Sequence, residues 1–175
     1  MQIVLAATGY HPTPDAYLGS SRALYDQPQA IILKDGTTLH TTLPSNADRY
    51  TIALENAGRL IKRGRHFLPT SLRNNPPATP PTNILPYEYC TCSPYRGYTL
   101  YDLITPAQIK TLALKLPDLC LRNDIPTTYD PELGDLCHRA LRGQPGIFLA
   151  SSFLTYRDDL HPQHDLIHLL KSLSA

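Results

Sequence analysis

The stretch MQIVLAATGY, residues 1–10, sets the fold class. Residues 2–7 are rich in Ile, Val and Leu and alternate poorly between apolar and polar side chains. A strand with this composition is buried on both faces, as in the interior of a sheet that is covered on both sides. The stretch therefore predicts an interior strand that ends in Ala6 and Ala7, neither of which carries a reactive group.

The residues that follow predict a short helix and then a hairpin. HPTPDAYLGSSRALYD (11–26) has apolar residues at roughly helical spacing, with Asp15 as the N-cap candidate. In AIILKDGTTLHTTL an apolar run meets a Lys-Asp-Gly turn and a threonine-rich alternating run, so 30–34 and 37–43 are the expected arms of a hairpin. YTIALE (50–55) is a further predicted strand.

The C-terminal half supplies the helices of the fold. In TPAQIKTLALKL (105–116), Thr105 and Gln108 have the spacing of a capping box, and Pro106 takes the first helical position. The apolar stripe of this helix consists of Ile109, Leu112, Ala113 and Leu116. Pro117 is expected to kink or stop the helix.

Three shorter segments complete the pattern. PELGDLCHRAL (131–141) predicts a short helix, GIFLAS (146–151) a buried strand, and HDLIHLLKSL (164–173) an amphipathic C-terminal helix. Strands interspersed with helices indicate an α/β fold, a central mixed sheet flanked by helices. The 175 residues fit one domain, 1–175.

A proline-rich excursion at about 60–100 interrupts this pattern. Its prolines cluster from Leu68 to Pro94, which predicts an irregular segment rather than a sheet or helix. Tyrosines bury a large area at low entropic cost. We therefore expect a protein partner to bind here, the alternative being an arm that packs on its own domain. The candidate contact residues are Tyr87, Tyr89, Tyr95, Arg96, Tyr98 and Tyr101.

Composition argues against several classes of function. The 16 Lys and Arg residues nearly balance the 15 Asp and Glu residues, so we expect no nucleic acid as partner. No long apolar run predicts a membrane span, and no secretory signal is recognisable. Four cysteines at uneven spacing indicate reduced thiols in a cytoplasm, with a four-thiolate zinc site as the alternative.

The order of these pieces resembles the type 2 N-acetylmuramoyl-L-alanine amidases, the zinc amidases of peptidoglycan, a family that also includes peptidoglycan recognition proteins and a small phage lysozyme. IVLAATG is similar to the family's first strand, AIILKDGTT to its hairpin, and DRYTIALEN to a strand with a glutamate, here Glu55. YRGYTLYDLITPAQIKTLALKL resembles the entry to its long helix, and LASSFLTYRDDLHPQHDLIHLL its closing strand, loop and helix.

The resemblance implies a zinc site whose ligands are largely replaced. The family's first histidine falls on Ala6, its second on Ser151 or Ser152, and its third ligand on His161. A methyl group cannot bind zinc, and a serine hydroxyl is a poor ligand at neutral pH. Two supporting positions are also changed: a catalytic tyrosine falls near Pro28, and a basic residue falls on Asp159.

We therefore expect a pseudoenzyme without cofactor that acts by binding, with Glu55 as a residual acid. Two alternatives remain: an active zinc amidase with a relocated site, in which His161 is joined by His11 or His138, and a receptor for peptidoglycan fragments. A metal claw of His161, His164 and His168 is the least conventional hypothesis, since solvent-facing histidines are more common. We expect synthesis in the cytoplasm, because no secretory signal is recognisable. Since the resembled family includes phage lysins, incorporation into a virion is a further expectation.

Overall fold

A five-stranded mixed sheet forms the centre of the computed structural model, which describes residues 1–8, 13–44, 46–55, 89–95, 98–127, 137–153, 160 and 163–174. The strands are β1 (Gln2–Ala7), β2 (Pro28–Ile32), β3 (Thr38–His40), β4 (Arg49–Leu54) and β7 (Gly146–Leu149). They lie in the order β3-β2-β4-β1-β7, and all neighbours are parallel except β2 and β3. The predicted α/β class with a central mixed sheet is confirmed.

Strand β1 is the interior strand that its composition predicts. All six of its residues are buried, and it pairs with β4 on one side and β7 on the other. Because successive side chains of a strand point to opposite faces, Ile3, Leu5 and Ala7 enter one apolar cluster while Val4 and Ala6 enter another. We call these the main cluster and the second cluster.

Helices cover both faces of the sheet. The main cluster packs under α3 (Pro106–Arg122) and α6 (His164–Leu173), whose buried residues include Leu112, Leu116, Leu166 and Leu170. The other face carries α4 (His138–Leu141) and α5 (Ala150–Phe153) in the second cluster. Next to it, α1 (Pro14–Leu18) and α2 (Ser21–Asp26) pack on Ile31 and Ala53.

The first predicted helix is two helices, and Asp15 is not an N-cap. Thr13 caps α1 by accepting a hydrogen bond from the Ala16 amide at 3.2 Å, and Asp15 lies in the first turn. Gly19 ends α1, and Ser20 then caps α2 by accepting from the Ala23 amide at 3.3 Å. Two polar caps in quick succession therefore divide the segment.

The predicted hairpin is confirmed, with its first strand shifted to 28–32 and its second shortened to 38–40. Its turn contacts the N-terminus of α3. The Thr105 hydroxyl donates to the Lys34 carbonyl at 2.6 Å, and the Thr111 hydroxyl donates to the Gly36 carbonyl at 2.8 Å. Gly36 has φ +88°, a conformation that glycine adopts at little cost.

Gln108 connects this helix to the sheet. Its side-chain amide is fully buried and donates to the carbonyl of Ile32 at 3.1 Å and to that of Glu55. Its amide oxygen accepts from the Thr105 backbone N–H at 3.0 Å, and the Thr105 hydroxyl accepts from the Gln108 backbone N–H. The predicted capping box is thus confirmed, and the same glutamine holds the ends of β2 and β4.

Pro117 does not stop α3, although a stop, like a kink, is one of the two effects expected from sequence. The helix continues to Arg122 because its buried side continues: Leu116 precedes the proline and Cys120 follows it, both in the main cluster. Pro117 itself is exposed, so water can reach the backbone around it. Packing beyond the proline therefore outweighs the hydrogen bond that the proline removes.

Two further predictions are corrected, one of a strand and one of an irregular segment. GIFLAS forms a strand only to Leu149, and its last two residues begin helix α5. The segment expected to be irregular up to Pro94 ends in β5 (Tyr89–Tyr95), which pairs with β6 (Tyr98–Asp102). Pro94 is tolerated there because the register shifts between Thr91 and Tyr95, where the regular ladder is interrupted.

Other predictions fall wholly or partly outside the described residues. The excursion from 56 to 88 does, and of the helix expected at 131–141 only α4 is described. The predicted C-terminal helix 164–173 is confirmed by α6. Within the described ranges, no helix has both the length and the apolar character to cross a membrane.

Replacing Gln108 by alanine tests the buried amide. The change leaves the carbonyls of Ile32 and Glu55 without their side-chain donor, so we expect Gln108→Ala to lower the free energy of unfolding by about 3 kcal/mol. Urea denaturation followed by circular dichroism measures the loss. Lys110→Ala, at an exposed position of the same helix, is the control and should change stability by less than about 0.5 kcal/mol. Equal stability of the two variants would contradict the role of Gln108.

A pair of glycine variants tests the contact between the hairpin turn and α3. A Cβ on Gly36 would lie 2.9 Å from the Ala107 carbonyl oxygen, whereas a Cβ on Gly143, also at positive φ, meets nothing within 4 Å. We expect Gly143→Ala to cost about 1 kcal/mol through its φ alone. Gly36→Ala should cost at least about 1 kcal/mol more, measured in the same urea titration. Similar losses of stability in the two variants would show that the turn can move away from α3 at little cost.

Candidate functional site

The carboxyl edge of the parallel strands is the candidate site. In open α/β sheets, ligands bind outside these ends, where connections from neighbouring strands leave toward opposite faces. Here β1 is followed by α1 and α2 on one face, and its neighbour β4 is followed, after β5 and β6, by α3 on the other face. This edge also holds the residues at which the resemblance places a zinc site.

Ala6 and Ala7 are buried at the end of β1 and point to opposite faces of the sheet. Ala6 packs in the second cluster with Phe148 and Ala150, and Ala7 packs in the main cluster. Both are only 1% exposed. Ala6 and Ala7 therefore offer no donor atom in their side chains.

Ser151 and Ser152 are fully buried in α5, and their hydroxyls are already bonded. The Ser151 Oγ donates to the Leu160 carbonyl at 2.9 Å, and the Ser152 Oγ donates to the Leu149 carbonyl at 2.7 Å. The Ser152 carbonyl in turn accepts from the Cys137 amide at 2.7 Å. The two hydroxyls thus hold together the helical turn that begins where β7 ends.

Glu55 supports the hairpin. Its Oε2 accepts from the Lys34 backbone N–H at 3.0 Å, and its own backbone N–H donates to the Ile32 carbonyl at 2.8 Å. The Glu55 carbonyl accepts from the Gln108 amide. The carboxylate is thus engaged by a backbone donor of the hairpin turn, an arrangement that stabilises the fold.

The histidines do not form a cluster around this edge in the described part of the chain. His11 and His161 lie outside the described residues, as does Asp159. His138 is exposed on α4, and His164 and His168 are exposed on α6. Among the described residues, no three His, Cys, Asp or Glu side chains converge in a way that could hold a metal ion.

The alternative of a four-thiolate zinc site is wrong. Cys120 packs in the main cluster and Cys137 in the second cluster, on opposite faces of the sheet. Both thiols are buried, and burial raises the pKa of Cys120 above its ordinary value. A protonated thiol is neither a good metal ligand nor a nucleophile.

Four of the candidate tyrosines come together on one ribbon. Tyr89 and Tyr95 belong to β5, Tyr98 and Tyr101 belong to β6, and Tyr95 pairs directly with Tyr98. Tyr87 and Arg96 lie outside the described residues. The antiparallel pairing therefore concentrates these tyrosines, which the sequence spreads over 89–101, in one hairpin.

The structure also shows a small polar cleft that the sequence did not indicate. It has a volume of about 20 Å³, enough for one water molecule, and adjoins Ala6 on the face that carries the second cluster. Arg49 and Asp26 line it, and the Arg49 guanidinium lies 5.2 Å from the centre of the Phe153 ring. No motif joins these residues, because they come from α2, β4 and α5.

Comparison of the chain with models of known protein families, with curated proteins and with solved structures gives no match. The fold and the edge define a mixed α/β protein whose strand ends carry alanines and hydrogen-bonded serines. Membership of the amidase family stays a prediction from the resemblance.

A serine pair tests whether this edge is structural. Ser151→Ala leaves the buried Leu160 carbonyl without its hydroxyl donor, so we expect a loss of about 1.5 kcal/mol in the free energy of unfolding. The control is Ser172→Ala on α6. The Ser172 hydroxyl also donates to a carbonyl, that of Leu169, but Ser172 is an exposed residue whereas Ser151 is buried. That variant should change stability by less than about 0.5 kcal/mol in the same denaturant titration. A Ser151→Ala variant as stable as the control would argue that the hydroxyl is free for another role.

Proposed function

We propose that this chain is a non-catalytic protein of the amidase type that acts by binding a protein partner. The observation that carries the proposal is the chemistry at the ends of β1 and β7. Alanine methyls and serine hydroxyls committed to backbone carbonyls stand where the resemblance would require imidazoles. A metal-activated water needs several ligands that are free to coordinate.

The positions of the resembling stretches support the amidase type. The stretch similar to the family's first strand forms β1, the hairpin stretch forms β2 and β3, and the stretch with the glutamate forms β4. The long helix and the closing helix correspond to α3 and α6. The pieces therefore occur as elements of the expected kind and in the expected order.

The contacts of Glu55 support a non-catalytic role. An active amidase of the resembled kind would use this carboxylate toward water or substrate. Here Oε2 accepts the Lys34 N–H, 21 positions earlier in the chain, while the backbone of Glu55 is held on both sides by Ile32 and Gln108. The need for a side-chain acceptor for the Lys34 N–H is enough to explain an acid or amide at this position.

We propose the tyrosine hairpin β5–β6 as part of the contact surface for the partner. Aromatic residues are enriched in the buried centres of protein interfaces, and tyrosine combines an apolar ring with a hydrogen-bonding group. The backbone pairing of Tyr95 with Tyr98 and of Cys90 with Tyr101 places these residues on one short ribbon.

Turnover of purified peptidoglycan tests the loss of catalysis. We expect no release of peptide from muramic acid, with or without added zinc, because the ligand positions at Ala6 and Ser151 lack imidazoles. Release is measured by separating soluble muropeptides from the digest. Trace activity is assigned to the chain only if a chelator removes it and Glu55→Gln, which keeps an acceptor for the Lys34 N–H, also removes it.

Two outcomes would overturn the proposal. One is chelator-sensitive cleavage that Glu55→Gln abolishes, which would establish an active amidase. The other is one zinc per chain that survives dialysis and is removed by His161→Ala.

Sedimentation with intact cell walls separates a wall receptor from a protein-binding module. We expect the chain to stay in the supernatant. A chain that sediments with the walls, and whose variant with Tyr89, Tyr95, Tyr98 and Tyr101 changed to Ser does not, would favour a receptor instead. Tyr25→Ser, at a tyrosine that is 79% exposed on α2, is the matched control.

A further inference from the structure

Helix α6 carries two neighbouring imidazoles on its exposed side. His164 and His168 are separated by four residues, their ring centroids are 6.2 Å apart, and their planes are inclined by 30°. The opposite side of the helix is anchored in the main cluster by Leu166, Leu169 and Leu170. The two rings therefore project side by side from a backbone that packing keeps in place.

This spacing is suited to chelation of one metal ion. Residues four apart lie on the same face of a helix, one turn above the other, and two histidines in this relation can ligate one zinc ion. The His164 side chain is 90% exposed, so the metal and the waters that complete its coordination have free access. No large rearrangement of the backbone is needed.

Asp165 supplies the contact that metal-binding histidines commonly have. Its Oδ1 lies 3.3 Å from Nδ1 of His164. When Nδ1 donates its proton to this carboxylate, the lone pair of the imidazole is on Nε2, which is the atom that would bind the metal. A carboxylate on the second nitrogen fixes the tautomer and makes the ligand more basic.

We propose that His164 and His168 form a bidentate surface site for a divalent transition-metal ion of the zinc, nickel or copper type. Imidazole favours these ions, whereas magnesium and calcium favour oxygen ligands. Water fills the remaining positions. The site is separate from the carboxyl edge of β1 and β7, and it does not depend on the proposed function.

The bound ion would link the first two turns of α6. Such a link adds to the stability of the folded chain by mass action, since the unfolded chain does not hold the two rings at this spacing. Gln163, the N-cap residue, makes no side-chain capping bond and instead accepts from the Ile104 backbone N–H at 3.0 Å, so the ion would add a side-chain link in the first turn. Metal binding and folding are therefore coupled.

Calorimetric titration of zinc chloride into the full chain, prepared without a polyhistidine tag, tests the proposal at fixed pH. We expect one site per chain in the micromolar range. His164→Ala and His168→Ala should each weaken binding at least about 10-fold, and Asp165→Ala should weaken it by about 10-fold through the lost orientation of His164. His40→Ala, at an exposed histidine of β3, should bind as the unchanged chain does.

A second measurement counts the ligands directly. Electron paramagnetic resonance of the Cu²⁺ complex should show two nitrogen donors in the unchanged chain and one in each single histidine variant. Circular dichroism confirms that the variants are folded, as expected for exposed positions. The proposal is overturned if zinc does not bind, or if binding survives both histidine variants unchanged.

Discussion

The buried amide of Gln108 is the interaction on which the arrangement of this protein depends. It caps its own helix through Thr105 and reaches across to the carbonyls at the ends of β2 and β4. A buried amide must find partners for its donors and acceptor, so few relative positions of helix and strands satisfy it. The hairpin turn follows from this constraint, because Thr105 and Thr111 of the same helix hold the carbonyls of Lys34 and Gly36. Glu55 is then placed beside the Lys34 amide, which makes the one acid shared with the resembled family part of the framework.

Local patterns predicted the elements well where short-range chemistry decides them. The interior strand β1, the hairpin, the capping box of α3 and the helix α6 all follow from composition and spacing within a few residues. The errors arise where distant contacts decide. Pro117 remains inside α3 because Cys120 is buried beyond it, and Ala150 and Ser151 leave the sheet because the next turn buries Phe153. The residue types of Ala6 and Ser151 already showed in the sequence that neither supplies an imidazole. The partners of Glu55 and of the Ser151 hydroxyl could not be predicted, because no motif in the sequence relates Lys34 to Glu55 or Leu160 to Ser151.

The carboxyl edge of the sheet is part of the packed interior at the ends of β1 and β7. Ala6 and Ala7 pack on opposite faces, and the serine hydroxyls that follow β7 donate hydrogen bonds to the carbonyls of Leu160 and Leu149. Cores of this density have little room for larger side chains. A larger side chain in place of Ala6 would have to fit beside Phe148 and Ala150, its neighbours in the second cluster.

The pairing of β1 has a consequence for the order in which the chain can fold. Gln2, at the start of β1, donates its side-chain amide to the Ala140 carbonyl, 138 residues away, and the strand's neighbour β7 begins only at Gly146. During synthesis, the edge of β1 that pairs with β7 therefore stays unpaired until most of the chain has left the ribosome. Contacts of such long range slow folding and leave a hydrophobic strand edge open to other chains in the interval. A nascent protein of this topology is a natural client for chaperones that shield unpaired strands.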